Sequence, residues 1–68
     1  MRLKELRKAR GISQVKLAMD LNMSQNTISR YETGDREPGI CDLIKIADYF
    51  GVSIDYLLCR TNNPNIFK

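Results

Sequence analysis

Two helical patterns separated by only three residues constrain the fold of this 68-residue chain more than any other feature. Residues 14–21 place apolar side chains at helical spacing, and a second such stretch begins at Ser24. Asn22, between them, is one of the few residues besides glycine that adopt the left-handed conformation of a tight turn. Because so short a connection holds two helices against each other, the sequence predicts a helix-turn-helix.

Capping residues mark both ends of the second helix of this pair, predicted over 24–32. Ser24 suits the N-cap, since its hydroxyl can accept a hydrogen bond from a free backbone N–H of the first turn. Met23 and Ile28 have the spacing of a hydrophobic staple. Gly34 follows the helix, where a left-handed residue commonly ends one.

The exposed side of this helix carries an unusual set of side chains. A rotation of about 100° per residue separates Ile28 and Tyr31 from a polar sector. That sector spans roughly 140° and contains Gln25, Asn26, Ser29, Arg30 and Thr33. It lacks the Glu/Lys mixture of a solvated face. Carboxamides can pair with adenine and a guanidinium with guanine, so the pattern favours a helix that reads the DNA major groove. A merely polar surface helix remains the alternative.

The charge is unevenly distributed along the chain. The net charge is +3, with eight Lys/Arg against four Asp/Glu in residues 1–36, a balance of +4. Residues 37–60 hold two Lys/Arg against four Asp/Glu, a balance of −2. The basic part of the chain is therefore the part that contains the carboxamide-rich helix. Both signals indicate one surface that faces a polyanion.

Three further helices complete an all-α domain, with no strand pattern, internal repeat or second domain. They are predicted over 2–10, 40–50 and 54–59, and are bounded by Gly11, Gly51 and the cap Ser53. The fourth helix of the chain, 40–50, has one apolar side, which contains Ile40, Leu43, Ile46, Ala47 and Phe50. We expect one domain over 1–60 and a flexible tail over 61–68, in which Ile66 and Phe67 are candidates to dock.

Several classes of function lack the residues they need. No stretch approaches a transmembrane helix or a signal peptide, and no histidine is present to complete a zinc site. Cys41 and Cys59 lie in apolar helical contexts, which predicts buried free thiols in a reducing cytoplasm rather than a disulfide. No base lies near a serine or cysteine to activate it, so we expect neither an enzyme nor a bound cofactor.

The motifs together resemble the lambda-type phage repressor and Cro family of helix-turn-helix proteins, which includes the XRE-like regulators. The resemblance covers residues 1–60 and rests on motifs that occur in register: Ser13-Gln14-x-x-Leu17-Ala18, Met23-Ser24-Gln25-x-x-Ile28-Ser29-Arg30-Tyr31-Glu32-x-Gly34, Pro38, Leu43-x-x-Ile46-Ala47 and Val52-Ser53-x-x-Tyr56-Leu57-Leu58. It implies a compact five-helix lambda-repressor-like domain. It also implies a homodimer that binds an inverted-repeat operator in double-stranded DNA and regulates transcription, most simply as a repressor.

The resemblance also implies roles for individual residues. Gln25, Asn26 and Arg30 match base-reading positions, and Ser29 shares their face. Gln14 matches a glutamine that touches a phosphate and supports the first residue of the recognition helix. The other expected DNA-backbone contacts are Ser13, Ser24, Thr27, Thr33 and Arg36. Two departures from the family pattern are Asn22, at a common glycine, and Gly39, where a capping serine is usual.

Two predictions concern contacts between distant parts of the chain or between chains. Arg7 and Glu32 both lie at the margin of an apolar stripe, where charges are normally paired, and the resemblance implies a salt bridge between them. It places Ile54 and Tyr56 at a dimer interface, although ordinary surface exposure remains the alternative for these apolar residues.

An alternative function is an antitoxin-type protein-binding module that also regulates its own gene by binding DNA.

Overall fold

The computed structural model describes residues 1–64 and consists of five helices. They are α1 (Leu3–Ala9), α2 (Gln14–Leu21), α3 (Gln25–Thr33), α4 (Ile40–Phe50) and α5 (Ile54–Leu57). Within residues 1–64 no strand occurs. The prediction of an all-α five-helix domain, with the helix-turn-helix at the second and third helices, is confirmed.

Helix ends agree with the sequence to within one or two residues. α2 and α4 have their predicted bounds, whereas α1 is one residue shorter at each end and α3 continues to Thr33. α5 ends at Leu57, two residues earlier than expected, and Cys59 beyond it takes a left-handed φ of 65°. Asn22 has the predicted left-handed conformation, with φ 56°. The three-residue connection between α2 and α3 therefore turns where the sequence indicates.

Serine hydroxyls begin three of the five helices. The Oγ atoms of Ser13, Ser24 and Ser53 accept hydrogen bonds from the backbone N–H three residues further on, at 3.0, 3.1 and 3.0 Å. Such a cap contributes about 1 kcal/mol to helix stability. The N-cap of α4 is instead Gly39, which has no side chain that could accept such a hydrogen bond. Both helices of the helix-turn-helix thus have a defined first turn.

A single core joins all five helices. Each helix contributes one side chain with no exposed surface, in chain order Leu3, Leu17, Ile28, Ile46 and Leu57. Ala18, Leu21, Tyr31, Ala47, Phe50 and Val52 complete the buried set. A helix as short as α3 or α5 is marginal in isolation, so this shared burial is what holds both of them.

Two expectations about burial are wrong. The helical pattern places Ile40 on the apolar side of α4, which predicts burial, yet it is 76% exposed. It is the first residue of α4, and the core begins only with Leu43, one turn further on. Cys41 and Cys59 carry free thiols, but both are exposed rather than buried. Cys41 shares the outer first turn with Ile40, and Cys59 lies in the turn after α5.

Hydrogen bonds from Arg2 connect α5 and the residues that follow it to the start of the chain. Its guanidinium donates to the carbonyl oxygens of Tyr56 at 2.8 Å and Thr61 at 3.2 Å, and to Oδ1 of Asn62 at 2.9 Å. The backbone N–H of Ser53 donates to the carbonyl of Pro64 at 2.9 Å. The expected docking residues Ile66 and Phe67 lie outside the described residues, and the flexible tail stays a prediction.

Candidate nucleic-acid interface

Helix α3 divides into one side that the core uses and one side that it leaves open. Ile28 and Tyr31 are buried, whereas Gln25, Asn26 and Arg30 are exposed and Ser29 is half-buried. Within residues 1–64, no side-chain hydrogen bond or ion pair involves these four polar side chains. The predicted base-reading residues therefore share one face, and their donors and acceptors are available to a ligand.

The buried side of α3 is held in a fixed orientation by its tyrosine. The hydroxyl of Tyr31 donates to Oδ2 of Asp42 on α4 at 2.7 Å. This hydrogen bond, together with burial, raises the pKa of the Tyr31 phenol above its usual range. The phenol thus stays protonated and keeps donating to Asp42, which limits rotation of α3 about its own axis.

A three-residue polar cluster ties α3 to α1 and α2. Arg7 donates from Nε to Oε2 of Glu32 at 2.6 Å and from Nη2 to Oε1 at 3.1 Å. Its Nη1 donates to the carbonyl of Ile12 at 2.9 Å. Gln14 donates from Nε2 to Oε1 of Glu32, also at 3.1 Å. The side chains of Arg7 and Glu32 are only 11% and 3% exposed, so the pair implied by the resemblance is a nearly buried one.

The charge state of Glu32 follows from this environment. Burial opposes its ionisation, but hydrogen bonds from Arg7 and Gln14, with the positive charge of Arg7, outweigh burial and lower the pKa of its carboxyl. The same pairing raises the pKa of Arg7. Both groups are therefore charged at neutral pH, and both carboxylate oxygens of Glu32 accept hydrogen bonds.

Acid is expected to destabilise the fold through Glu32. As pH falls below the ordinary pKa of a glutamate, the unfolded chain takes up a proton while folded Glu32 remains ionised. The free energy of unfolding therefore declines with falling pH until the pH passes the lowered folded pKa of Glu32. Urea melts from pH 7 to pH 3 measure this decline, and Glu32→Gln should flatten it. An equally steep decline in Glu32→Gln would assign the acid sensitivity to other carboxyls.

The predicted DNA-backbone residues lie at the start of α2, on α3 and in the loop after it, and several of their hydroxyls already have partners. Ser24 Oγ lies 2.7 Å from Thr27 Oγ1 and also accepts from the Thr27 N–H. One of these two hydroxyls donates its proton to the other, so the second hydroxyl still has an O–H that can donate to a ligand. Thr33 donates to the carbonyl of Arg30 at 3.2 Å, so its proton reaches a phosphate only by exchanging that bond. Arg36 is exposed in the loop after Gly34.

The number of cations available to a ligand is smaller than the sequence suggests. Arg2 stacks over the Tyr56 ring at 4.3 Å, Arg10 over the Phe50 ring at 4.9 Å, and Arg7 is paired with Glu32. Lys16 pairs with Asp20 at 2.9 Å. Among the lysines and arginines of residues 1–36, Lys4, Lys8, Arg30 and Arg36 form no ion pair or ring contact within the described residues. Arg30 lies on α3 and Arg36 in the loop after it.

Helix ends add to the positive potential of this surface. α2 and α3 begin at Ser13 and Ser24, and the first-turn N–H groups not used by those caps have no partner within the helix. Each helix N-terminus carries a partial positive charge that favours an anion. Basic side chains, helix ends and hydrogen-bonding groups are therefore combined around α3.

The two predicted dimer residues have different surroundings. Ile54 is 37% exposed and lines a groove between α4 and α5 with a volume of about 320 Å³, together with Ile44, Ala47, Asp48, Val52, Ser53 and Asp55. Tyr56 is half-buried and packs on the core, with its ring under Arg2. Ile44 and Ile54 are thus the open apolar residues of this groove, and the Tyr56 ring is shielded on the face that Arg2 covers.

Other kinds of site find little support in the described part of the chain. In residues 1–64, no group of three or more histidine, cysteine, aspartate or glutamate side chains could hold a metal ion. Among the same residues, no helix has the length and apolar character needed to cross a membrane.

Fold and surface together define a helix-turn-helix domain, in which α2 supports an exposed α3. The chain belongs to the helix-turn-helix family, which matches residues 3–57. The match runs from the first residue of α1 to the last residue of α5. The resemblance drawn from the motifs is therefore confirmed at the level of the family.

Curated relatives of the chain are named as transcriptional regulators. It is 42% identical over 57 residues to the HTH-type transcriptional regulator ImmR of Bacillus subtilis, covering 84% of this chain and 45% of ImmR. It is 36% identical over 66 residues to the uncharacterized HTH-type transcriptional regulator YqaE of the same organism, covering 97% of this chain and 57% of YqaE.

A third relative comes from a phage of another bacterium. The chain is 37% identical over 59 residues to the cryptic phage CTXphi transcriptional repressor RstR of Vibrio cholerae, covering 87% of this chain and 53% of RstR. The chain thus spans about half the length of the curated relatives it matches. No solved structure is a significant match to it.

Proposed function

We propose that this chain is a sequence-specific double-stranded DNA-binding domain that regulates transcription, with α3 in the major groove. The observation that carries the proposal is the polar face of α3. The side chains of Gln25, Asn26 and Arg30 are exposed and form no hydrogen bond or ion pair within residues 1–64, while Ile28 and Tyr31 on the opposite face are buried. Carboxamide and guanidinium groups match the hydrogen-bonding edges of adenine and guanine.

Repression from an inverted-repeat operator is the form of regulation we propose. RstR is named a transcriptional repressor, which supports repression, whereas another relative, BcrR of Enterococcus faecalis, is named a transcriptional activator and is 37% identical over 57 residues. A second copy of the chain on the groove at Ile44 and Ile54 would place two copies of α3 on one side of a DNA duplex. Two-fold symmetry of the protein then requires two-fold symmetry of the operator.

A binding matrix tests the base-reading assignment. A preferred site is first selected from random oligonucleotides, and each of its base pairs is then varied singly. Arg30→Ala is expected to lose about 1–3 kcal/mol of discrimination at one base pair per half-site, since a bidentate contact reads one base. Gln25→Ala and Asn26→Ala should act in the same way at neighbouring base pairs. Selection that yields no preferred sequence would contradict sequence-specific binding altogether.

Arg36→Ala is the matched control, because it removes the same side chain from the loop beyond α3. Losing a phosphate contact weakens binding to every sequence about equally. It also reduces the slope of log affinity against log salt concentration by about one. The preferred sequence of Arg36→Ala should therefore be unchanged. If Arg30→Ala instead weakens all single-base variants evenly, the role of Arg30 is electrostatic and the assignment fails.

A further inference from the structure

Gln14 and Glu32 connect the start of α2 to the last turn of α3. Gln14 is the first residue of α2 and is half-buried, and Glu32 is the next-to-last residue of α3. Gln14 Nε2 donates to Glu32 Oε1 at 3.1 Å. The resemblance to lambda-type repressors implies a different partner, the first residue of the recognition helix. Within residues 1–64, no hydrogen bond joins Gln14 to Gln25.

The carboxylate of Glu32 determines which way the Gln14 amide faces. An ionised carboxylate only accepts hydrogen bonds, so the amide must turn its NH₂ group, not its oxygen, towards Glu32. The carboxylate is itself immobilised by two hydrogen bonds from Arg7 and by burial, with 3% of its side chain exposed. An amide facing a hydroxyl, which can both donate and accept, would instead have two possible orientations.

The amide then has one donor left over. Its NH₂ group has two N–H bonds, of which Glu32 accepts one. Gln14 adjoins the cap residue Ser13, at the positive end of α2, where first-turn N–H groups are free to bind an anion. The remaining N–H of Gln14 and these backbone donors belong to the same end of one helix.

We propose that Glu32 is a positioning residue for DNA binding: its carboxylate orients the Gln14 amide so that the second N–H donates to a DNA phosphate. This inference rests on the DNA-binding function proposed above. It makes a residue outside the reading face responsible for one backbone contact. The hydrogen bond between Gln14 and Glu32 also connects the phosphate-binding start of α2 to α3. Both helices then determine the position of α3 along the DNA.

A double-mutant cycle on the selected operator tests the inference. The variants are Gln14→Ala, Glu32→Gln and the double variant, compared at a temperature at which all are folded. Gln14→Ala is expected to weaken binding about tenfold, the value of one hydrogen bond to a charged group. Glu32→Gln should weaken binding of the otherwise wild-type chain to a similar extent, yet change little in the Gln14→Ala background.

Replacing single phosphates with neutral methylphosphonates locates the contact. One substitution per half-site should lower the affinity of the wild-type chain but have little effect on Gln14→Ala and on Glu32→Gln. Tyr31→Phe is the matched control, because it removes a buried hydrogen bond of α3, to Asp42, without touching Gln14. Its effect on binding should add to that of Gln14→Ala. Should Glu32→Gln not fold, Glu32→Asp retains the charge but withdraws the acceptor by one methylene.

The possible outcomes separate this inference from the proposed function. Additive effects of Gln14→Ala and Glu32→Gln on affinity would overturn the positioning role, as would a methylphosphonate effect that survives in Glu32→Gln. Either result leaves sequence-specific binding by the wild-type chain intact. Absence of specific binding by the wild-type chain would instead reject the proposed function itself.

Discussion

Glu32→Ala is expected to lower the free energy of unfolding by about 3 kcal/mol or more, because it leaves the nearly buried guanidinium of Arg7 without its partner. Arg7→Ala should have a similar effect, since it leaves a carboxylate that is 3% exposed. Domains of this size have only about 3–10 kcal/mol to lose. The expected fall in melting temperature is therefore more than about 12 °C, which calorimetry or circular dichroism measures.

An ion pair at the start of α1, whose carboxylate is exposed, provides the control. Glu5 pairs with Arg2 at 3.4 Å, but its side chain is 66% exposed. Pairs of this kind contribute about 0–1 kcal/mol, so Glu5→Ala should melt within a few degrees of the wild type. Replacing both buried partners, as in Arg7→Met with Glu32→Leu, should cost less than the sum of the single changes. Single variants that melt with the wild type would show that the pair contributes nothing.

Local signals were sufficient to predict most of the fold. Ser13, Ser24 and Ser53 each begin a helix where a capping serine precedes an apolar pattern, and Asn22 turns where a left-handed residue was needed. These predictions succeed because caps and turns depend on a few neighbouring residues. The expectation for Ile40 failed because helical spacing gives the direction of a side chain but not how far the core extends along the helix.

Contacts between distant residues were less accessible to sequence reasoning. Nothing near Arg2 in the sequence indicates that it reaches Tyr56 and Asn62, and nothing near Gln14 indicates Glu32. A long polar side chain has many possible partners, and only the tertiary fold selects one. The sequence gives the number of basic residues but not which of them form contacts within the fold. Arg7 pairs with Glu32 and Arg10 stacks on Phe50, so neither is free to contribute to a surface that faces a polyanion.

The symmetry of the operator is the prediction that depends most directly on the groove at Ile44 and Ile54. Those two side chains are 44% and 37% exposed, and on α4 the apolar surface continues one turn earlier to Ile40. A homodimer through this surface places its two copies of α3 about one DNA turn apart, with half-site centres ~10 bp apart. Footprinting should then reveal an inverted repeat that one dimer protects.

Inserting five base pairs between the half-sites moves the second half-site to the opposite face of the duplex. Because the dimer then contacts only one half-site at a time, affinity should fall about a hundredfold or more. Ile54→Asp should weaken binding to the uninterrupted operator by a comparable factor, since a buried charge at the centre of the interface opposes dimerisation. The same variant should bind the five-base-pair insertion operator about as well as the wild type does. Equal affinity of the wild type for operators with and without the insertion would rule out a rigid dimer of this geometry.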